Sequence, residues 1–154
     1  MLRAPLFLLL ALTTLTFGQD TTHTSATAVS PRIVARVALT AQTAGIPTTP
    51  LYTPAGDGLF RISVYATMST AGSTGKWWVN TFWTDDGGAE ENTAYQLPAN
   101  GKAPTASCNS VGSACGPSVW VVSDKAGVPL SYDVEAHAGA AGTYDVYIVV
   151  EQLM

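Results

Sequence analysis

Residues 59–67 read LFRISVYAT, and apolar and polar side chains alternate through this stretch. The apolar positions are Phe60, Ile62, Val64 and Ala66, and the positions between them hold Arg61, Ser63, Tyr65 and Thr67. Successive side chains of a β-strand point to opposite sides, so a period of two indicates a strand with one buried face. The stretch therefore predicts a strand that contributes one face to a core.

The same period of two recurs along the chain, and no segment shows the period of a helix. Further strands are predicted at residues 37–41, 77–84, 93–97, 119–123, 130–137 and 144–150, the last of them inside a sheet. Residues 44–58, AGIPTTPLYTPAGDG, are predicted to form a loop because they contain three prolines. Seven or eight strands separated by turns predict one all-β domain, a sandwich or barrel, over residues 33–154.

The first residues have the layout of a secretory signal peptide. Arg3 carries a positive charge, an apolar run follows over residues 4–12, and small residues precede a cleavage position after Gly18. The run is shorter than a bilayer-spanning helix requires, although an uncleaved anchor is the alternative. We expect residues 1–18 to be removed and residues 19–32 to form a flexible leader. The mature chain, without a membrane span, is then secreted, periplasmic or at the cell surface.

Composition excludes some partners and predicts one cross-link. Only 12% of residues are charged and the net charge is −4, so no basic surface is available for nucleic acid or an anionic membrane. Six residues separate Cys108 from Cys115. An oxidising compartment favours a local disulfide between them, because a metal site or a redox pair would need other ligands or a shorter spacing.

Four carboxylates in TDDGGAEE, residues 84–91, form the first candidate site. The acidic residues are Asp85, Asp86, Glu90 and Glu91, and their oxygens are the ligands that Ca²⁺ prefers. Their spacing differs from the calcium loop of an EF-hand. Asp-Gly-Gly is also a turn signal, so a hairpin tip with solvated acids is the favoured interpretation, and a calcium site is the alternative. No other cofactor is predicted.

No sequence motif indicates an enzyme. Glycoside hydrolysis requires two carboxyls that face each other across a cleft, and Asp85 and Asp86 are adjacent in sequence and project apart. His23 lies in the leader, and His137 shares a strand face with Asp133 and Glu135 without a nucleophile motif nearby. The sequence therefore predicts a non-catalytic protein, with a small secreted hydrolase as a minor alternative.

Aromatic side chains occupy both faces of the strand at residues 77–84. Trp77 and Trp83 lie on one face, and Trp78 and Phe82 lie on the other with Asn80 between them. A sandwich strand buries one face, so a loop, another subunit or a ligand must cover the second aromatic set. We expect Trp78, Asn80 and Phe82 to be the outward set, as an interface or a binding surface.

Residues 51–68, LYTPAGDGLFRISVYATM, resemble the strand entry of the TNF/C1q-like jelly rolls. Residues 142–153, GTYDVYIVVEQL, resemble the final strand of that fold. From about residue 35 to residue 153 the chain is similar to small jelly-roll modules of exported bacterial proteins and of phage virion and tail proteins. The resemblance implies a jelly-roll-like antiparallel β-sandwich used for structure or recognition, with a trimer as one form of assembly.

Together these patterns predict an exported, non-catalytic β-sandwich with a structural, adhesive or self-assembly role. The alternative is a carbohydrate-binding module, because planar aromatic rings beside Asn80 suit stacking on sugar rings. The first hypothesis predicts self-association of the chain, and the second predicts a glycan as partner.

Overall fold

Two antiparallel sheets make up the part of the chain that the computed structural model describes, residues 30–72, 74–98 and 118–154. Eight strands occur in these residues: β1 Arg32–Gln42, β2 Ile46–Tyr52, β3 Gly58–Ala71, β4 Lys76–Asp85, β5 Gly88–Pro98, β6 Ser118–Asp124, β7 Leu130–His137 and β8 Gly142–Gln152. Sheet A has the order β1-β8-β3-β6, and sheet B has the order β2-β7-β4-β5.

The pairing of the strands follows a simple rule. β1 pairs with β8, β2 with β7, β3 with β6 and β4 with β5, all antiparallel, as in a long ribbon folded back on itself. Two further pairings, β3 with β8 and β4 with β7, close the folded ribbon into two sheets. Eight strands in two such sheets are the jelly-roll arrangement, which confirms the predicted fold and places β8 inside a sheet.

The core lies between the two sheets and is built by the alternation first seen at residues 59–67. The fully buried side chains of β3 and β8 are Phe60, Ile62, Val64, Ala66, Tyr144, Val146, Ile148 and Val150. The Trp77 ring of sheet B contacts the Tyr144 ring of sheet A with centroids 4.8 Å apart. Burial raises the pKa of Tyr144 to about 12, and its hydroxyl donates a hydrogen bond to the Ala44 carbonyl at 2.7 Å.

The loop predicted at residues 44–58 is wrong in part, because β2 occupies Ile46–Tyr52. β2 is an edge strand of sheet B, and an edge strand leaves one side of its backbone without a partner in the sheet. Pro47 and Pro50, which lack a backbone N–H, are compatible with that position, and the register with β7 shifts between Ile46 and Thr49. Prolines are loop signals in general, but an edge strand tolerates them.

The connection between β3 and β4 lies against the turn between β7 and β8. Gly75 has φ +80° and Gly142 has φ +85°, a region that favours glycine. A Cβ on Gly75 would meet the backbone of Ala140, and a Cβ on Gly142 would meet the carbonyl oxygen of Thr70. The close approach of these two backbones explains why glycine occupies both positions.

A buried carboxylate joins the sheets at one end. Asp124, at the end of β6 in sheet A, is fully buried, and its Oδ1 accepts a hydrogen bond from the Thr84 backbone N–H of sheet B at 2.9 Å. The next residue, Lys125, donates its backbone N–H to the Thr84 carbonyl at 2.9 Å. Burial raises the pKa of Asp124, while these backbone donors lower it. The contact fixes where β6 ends relative to β4.

Truncation of a core isoleucine tests this arrangement. Ile148→Ala should destabilise the protein by about 2–5 kcal/mol, because the substitution leaves a cavity between the sheets. Ile33→Ala is a matched control on β1, where the side chain is 46% exposed, and should change stability by less than about 1 kcal/mol. Urea unfolding of both variants measures the difference. Equal losses would contradict the assigned core.

Candidate functional site

The outer face of sheet B carries the aromatic residues singled out in the sequence. Trp77 is buried against sheet A, and Trp83 packs against the core. Trp78 and Phe82 are half-buried on the other face. Among the described residues, neither is one of the partly buried apolar side chains that pack against the core. The structure therefore brings Trp78, Asn80 and Phe82 together on the face that points away from sheet A.

Polar side chains fill the space between Trp78 and Phe82. Asn80, Ser131 and Asp133 are 1%, 6% and 7% exposed, and we call these three residues the polar floor. Asn80 Nδ2 donates to Asp133 Oδ1 at 3.0 Å, and Thr48 Oγ1 lies 3.5 Å from Asp133 Oδ2. Such low exposure on an outer sheet face means that neighbouring side chains overhang the floor.

Charged and aromatic groups surround the floor. The His137 ring stacks on the Trp78 ring with centroids 3.7 Å apart and planes inclined by 27°. His137 Nε2 also lies 2.9 Å from Glu135 Oε2. Glu91 is opposite Phe82 in the register of β4 and β5. The face therefore combines aromatic surface with several hydrogen-bond acceptors.

The charge of Asp133 depends on these surroundings. Burial raises its pKa, the hydrogen bond from Asn80 lowers it, and the nearby carboxylates of Glu135 and Glu91 raise it further. Two buried atoms of the same face, Asn80 Oδ1 and Trp78 Nε1, have no hydrogen-bond partner among the described residues. A buried polar atom without a partner is costly, so these atoms are candidates for contact with a ligand.

The acidic stretch forms a hairpin turn. Asp85 pairs with Gly88 across β4 and β5, and Asp85 Oδ1 accepts a hydrogen bond from the Gly87 backbone N–H at 2.7 Å. Asp86 is fully exposed and forms an ion pair with Lys125 at 3.1 Å. Glu90 and Glu91 are successive strand residues and point to opposite sides. Within the described ranges no three His, Cys, Asp or Glu side chains lie where they would jointly hold a metal ion.

The calcium hypothesis for Asp85, Asp86, Glu90 and Glu91 thus has no assembled ligand set in these residues, and it stays a prediction. Cys108 and Cys115 lie outside the described residues, as do the predicted signal peptide and most of the leader. The predicted disulfide also stays a prediction. In the part of the chain that is described, no helix is long and apolar enough to cross a membrane.

Sequence analysis missed a second surface, the outer face of sheet A. Val119 and Val121 of β6 are 52% and 54% exposed, and Ile33 of β1 is also exposed. On the central strands of this face the Tyr65 and Tyr147 rings lie 5.8 Å apart. Residues 119–122, VWVV, are apolar at consecutive positions, so alternation alone does not show which set is outward. The signal in the sequence was this run of four apolar residues, which places apolar side chains on both faces of β6.

One ion pair lies on this second face, while Arg36 and Asp145 of the same face have no ion-pair partner among the described residues. Arg61 Nε lies 2.7 Å from Glu151 Oε2 on the neighbouring strand. The hydrogen bond and charge of Glu151 raise the pKa of Arg61, and the hydrogen bond from Arg61 lowers the pKa of Glu151. Both groups remain charged at neutral pH and compensate each other.

Comparisons with known proteins assign no family to this fold and these surfaces. No family model matches the chain, and no curated protein matches it. One similar solved structure is the VP2 subviral particle of infectious bursal disease virus, at 12% identity and a TM-score of 0.40. The match covers 91% of this chain and 37% of that one, so this chain spans just over a third of the VP2 chain. A structural similarity this weak supports no conclusion about function.

Replacement of Asp133 tests the electrostatics of the polar floor. A carboxyl with a raised pKa binds its proton more tightly in the folded protein, so its contribution to stability falls as pH rises from about 3 towards 7. Asp133→Asn cannot titrate, and its stability relative to the unsubstituted protein should therefore increase over that range. Urea unfolding at several pH values measures the difference.

The matched control is Ser131→Ala, which alters the same floor without a titrating group. Its stability difference from the unsubstituted protein should not vary with pH. If the Asp133→Asn difference is equally flat, the assigned direction of the pKa shift is wrong.

Proposed function

We propose that the protein is an exported, non-catalytic jelly-roll module that assembles with copies of itself in a structural or adhesive role. The observation that carries the proposal is the apolar outer face of sheet A. Contiguous exposed apolar surface on a protein of low charge commonly marks an interaction site. The signal-like residues 1–18 support export, and the resemblance to TNF/C1q-like jelly rolls supports assembly.

The register shows which residues of this face are neighbours across the sheet. The register sets Val119 beside Ser63, Ser63 beside Val149, and Val149 beside Arg36, and one step along it sets Tyr65 beside Tyr147. Four strands at about 4.8 Å spacing and about 30 Å length give the whole outer face of sheet A, polar residues included, an area of roughly 550 Å². Two copies would bury on the order of 1,100 Å², near the lower bound for a specific interface.

The exposed apolar side chains of this face favour a second copy as its partner. The net charge of −4 makes two copies repel in general. The Arg61–Glu151 pair is satisfied within one chain, so these two charges need no partner from a second copy. The interface of a homo-oligomer is typically more apolar than the rest of the surface, as this face is.

A charge inserted into the face tests the proposal. Val119→Glu and Val121→Glu should convert an oligomer into a monomer, because each adds a carboxylate to the interface. Val119→Glu is the stricter variant, since its neighbour is Ser63, whereas residue 121 lies beside Arg61. Light scattering behind a sizing column gives the mass of each variant, and the unsubstituted protein should be a dimer, a trimer or another closed oligomer. If the unsubstituted protein is a monomer at all concentrations, the proposal is wrong.

Gln96→Glu is the control for added charge, since Gln96 is exposed and lies on sheet B. It adds one negative charge on a different sheet and should leave the mass of the oligomer unchanged. If Gln96→Glu dissociates the oligomer and Val119→Glu does not, the contact lies elsewhere on the molecule.

A further inference from the structure

The outer face of sheet B has chemistry that self-association through sheet A leaves unexplained. Its polar floor of Asn80, Ser131 and Asp133 lies between Trp78 and Phe82, at less than one-tenth exposure. Polar groups with aromatic side chains at their border are typical of small-molecule binding sites, in which a few polar atoms fix the orientation of a ligand. This arrangement does not require the sheet A face, so it can be tested separately.

The unpartnered atoms indicate what the ligand must offer. Asn80 Oδ1 is an acceptor that needs a donor, and Trp78 Nε1 is a donor that needs an acceptor. A hydroxyl group both donates and accepts, so a polyhydroxylated ligand can satisfy both. Both atoms are buried, and the aromatic side chains must move aside to admit a hydroxyl, a change of rotamer that is common on binding.

The aromatic residues indicate the size and shape of the ligand. Trp78 and Phe82 are four residues apart on one strand, which separates their Cα atoms by about 13 Å. That span exceeds one sugar ring and favours an oligosaccharide over a monosaccharide. The apolar C–H face of a sugar ring packs on an aromatic face, while the hydroxyls at its edge reach polar groups beside it.

The carboxylates around the polar floor disfavour acidic ligands there, and Lys76, a cation of this face, lies at its end opposite His137. Asp133 lies in the floor, and Glu135 and Glu91 are close enough to raise its pKa. A phosphate, a sulfate or an acidic sugar would be repelled by these carboxylates. Neutral hydroxyls, in contrast, donate readily to carboxylate oxygens.

We propose that the outer face of sheet B binds a neutral oligosaccharide. Trp78 and Phe82 stack on sugar rings, and Asn80, Asp133 and Glu135 accept hydrogen bonds from hydroxyl groups. Trp78 is the central residue, because it offers both a ring face and an unpartnered N–H and is held by the His137 stack.

The test is calorimetric titration of the full protein with cellohexaose, xylohexaose and mannohexaose at millimolar concentrations, followed by tryptophan fluorescence. At least one of these neutral hexasaccharides should bind and shift the emission. Trp78→Ala and Phe82→Ala should each weaken binding at least tenfold while thermal melting shows a folded protein. Glu135→Gln, at an exposed position, should weaken oligosaccharide binding severalfold. This variant tests the proposal if an aromatic variant fails to fold.

Tyr147→Ala is the matched control, an aromatic truncation on the outer face of sheet A, and should leave the affinity unchanged. Binding that persists in Trp78→Ala and Phe82→Ala, or that Tyr147→Ala abolishes, would overturn the proposal. The absence of binding to all three neutral probes would overturn it as well. Binding of a glucosamine hexamer alone would show that the face takes cations, and the neutral assignment would be wrong.

Discussion

The position of β8 between β1 and β3 is the constraint on which the rest of the structure depends. Its inward side chains form much of the core, and its register with β3 decides which residues of sheet A face outward. A shift of β8 by one residue would turn the buried Ile148 and Val150 outward and bring Tyr147 and Val149 inward, which would disrupt the core. The buried apolar face of β8 therefore fixes both the interior and the outer surface of sheet A.

Contacts between the sheets then hold the two outer faces at a fixed distance on opposite sides of the molecule. The Trp77–Tyr144 ring contact joins the sheets through the core, and Asp124 joins them at one end. The result is two surfaces of different chemistry. One carries exposed valine and isoleucine side chains around the Arg61–Glu151 ion pair, and the other is aromatic and acidic with unpartnered polar atoms. The proposed self-association and the proposed sugar binding therefore involve different residues.

The sequence predicted the fold better than the site, and particular residues show why. Alternation in β3 and β8 was sufficient because one face is uniformly apolar. β2 was missed because its prolines, which usually mark loops, are tolerated at a sheet edge. The Asn80–Asp133 hydrogen bond joins residues on different strands that are 53 positions apart, and the Trp78–His137 stack joins another distant pair. No local pattern predicts such neighbours, since they follow from the register of β4 and β7.

The nested pairing of the strands has a consequence for how the chain folds. Among the described strands, β4 and β5 form the one hairpin with a tight turn. β1 can pair only with β8, which lies about a hundred residues later in the chain. Folds dominated by such distant contacts fold slowly, because loop closure precedes most of the stabilisation. Sheet A can therefore assemble only after synthesis has reached β8. Until β8 has been synthesised, the apolar faces of β1 and β3 stay exposed to solvent and to other unfolded chains.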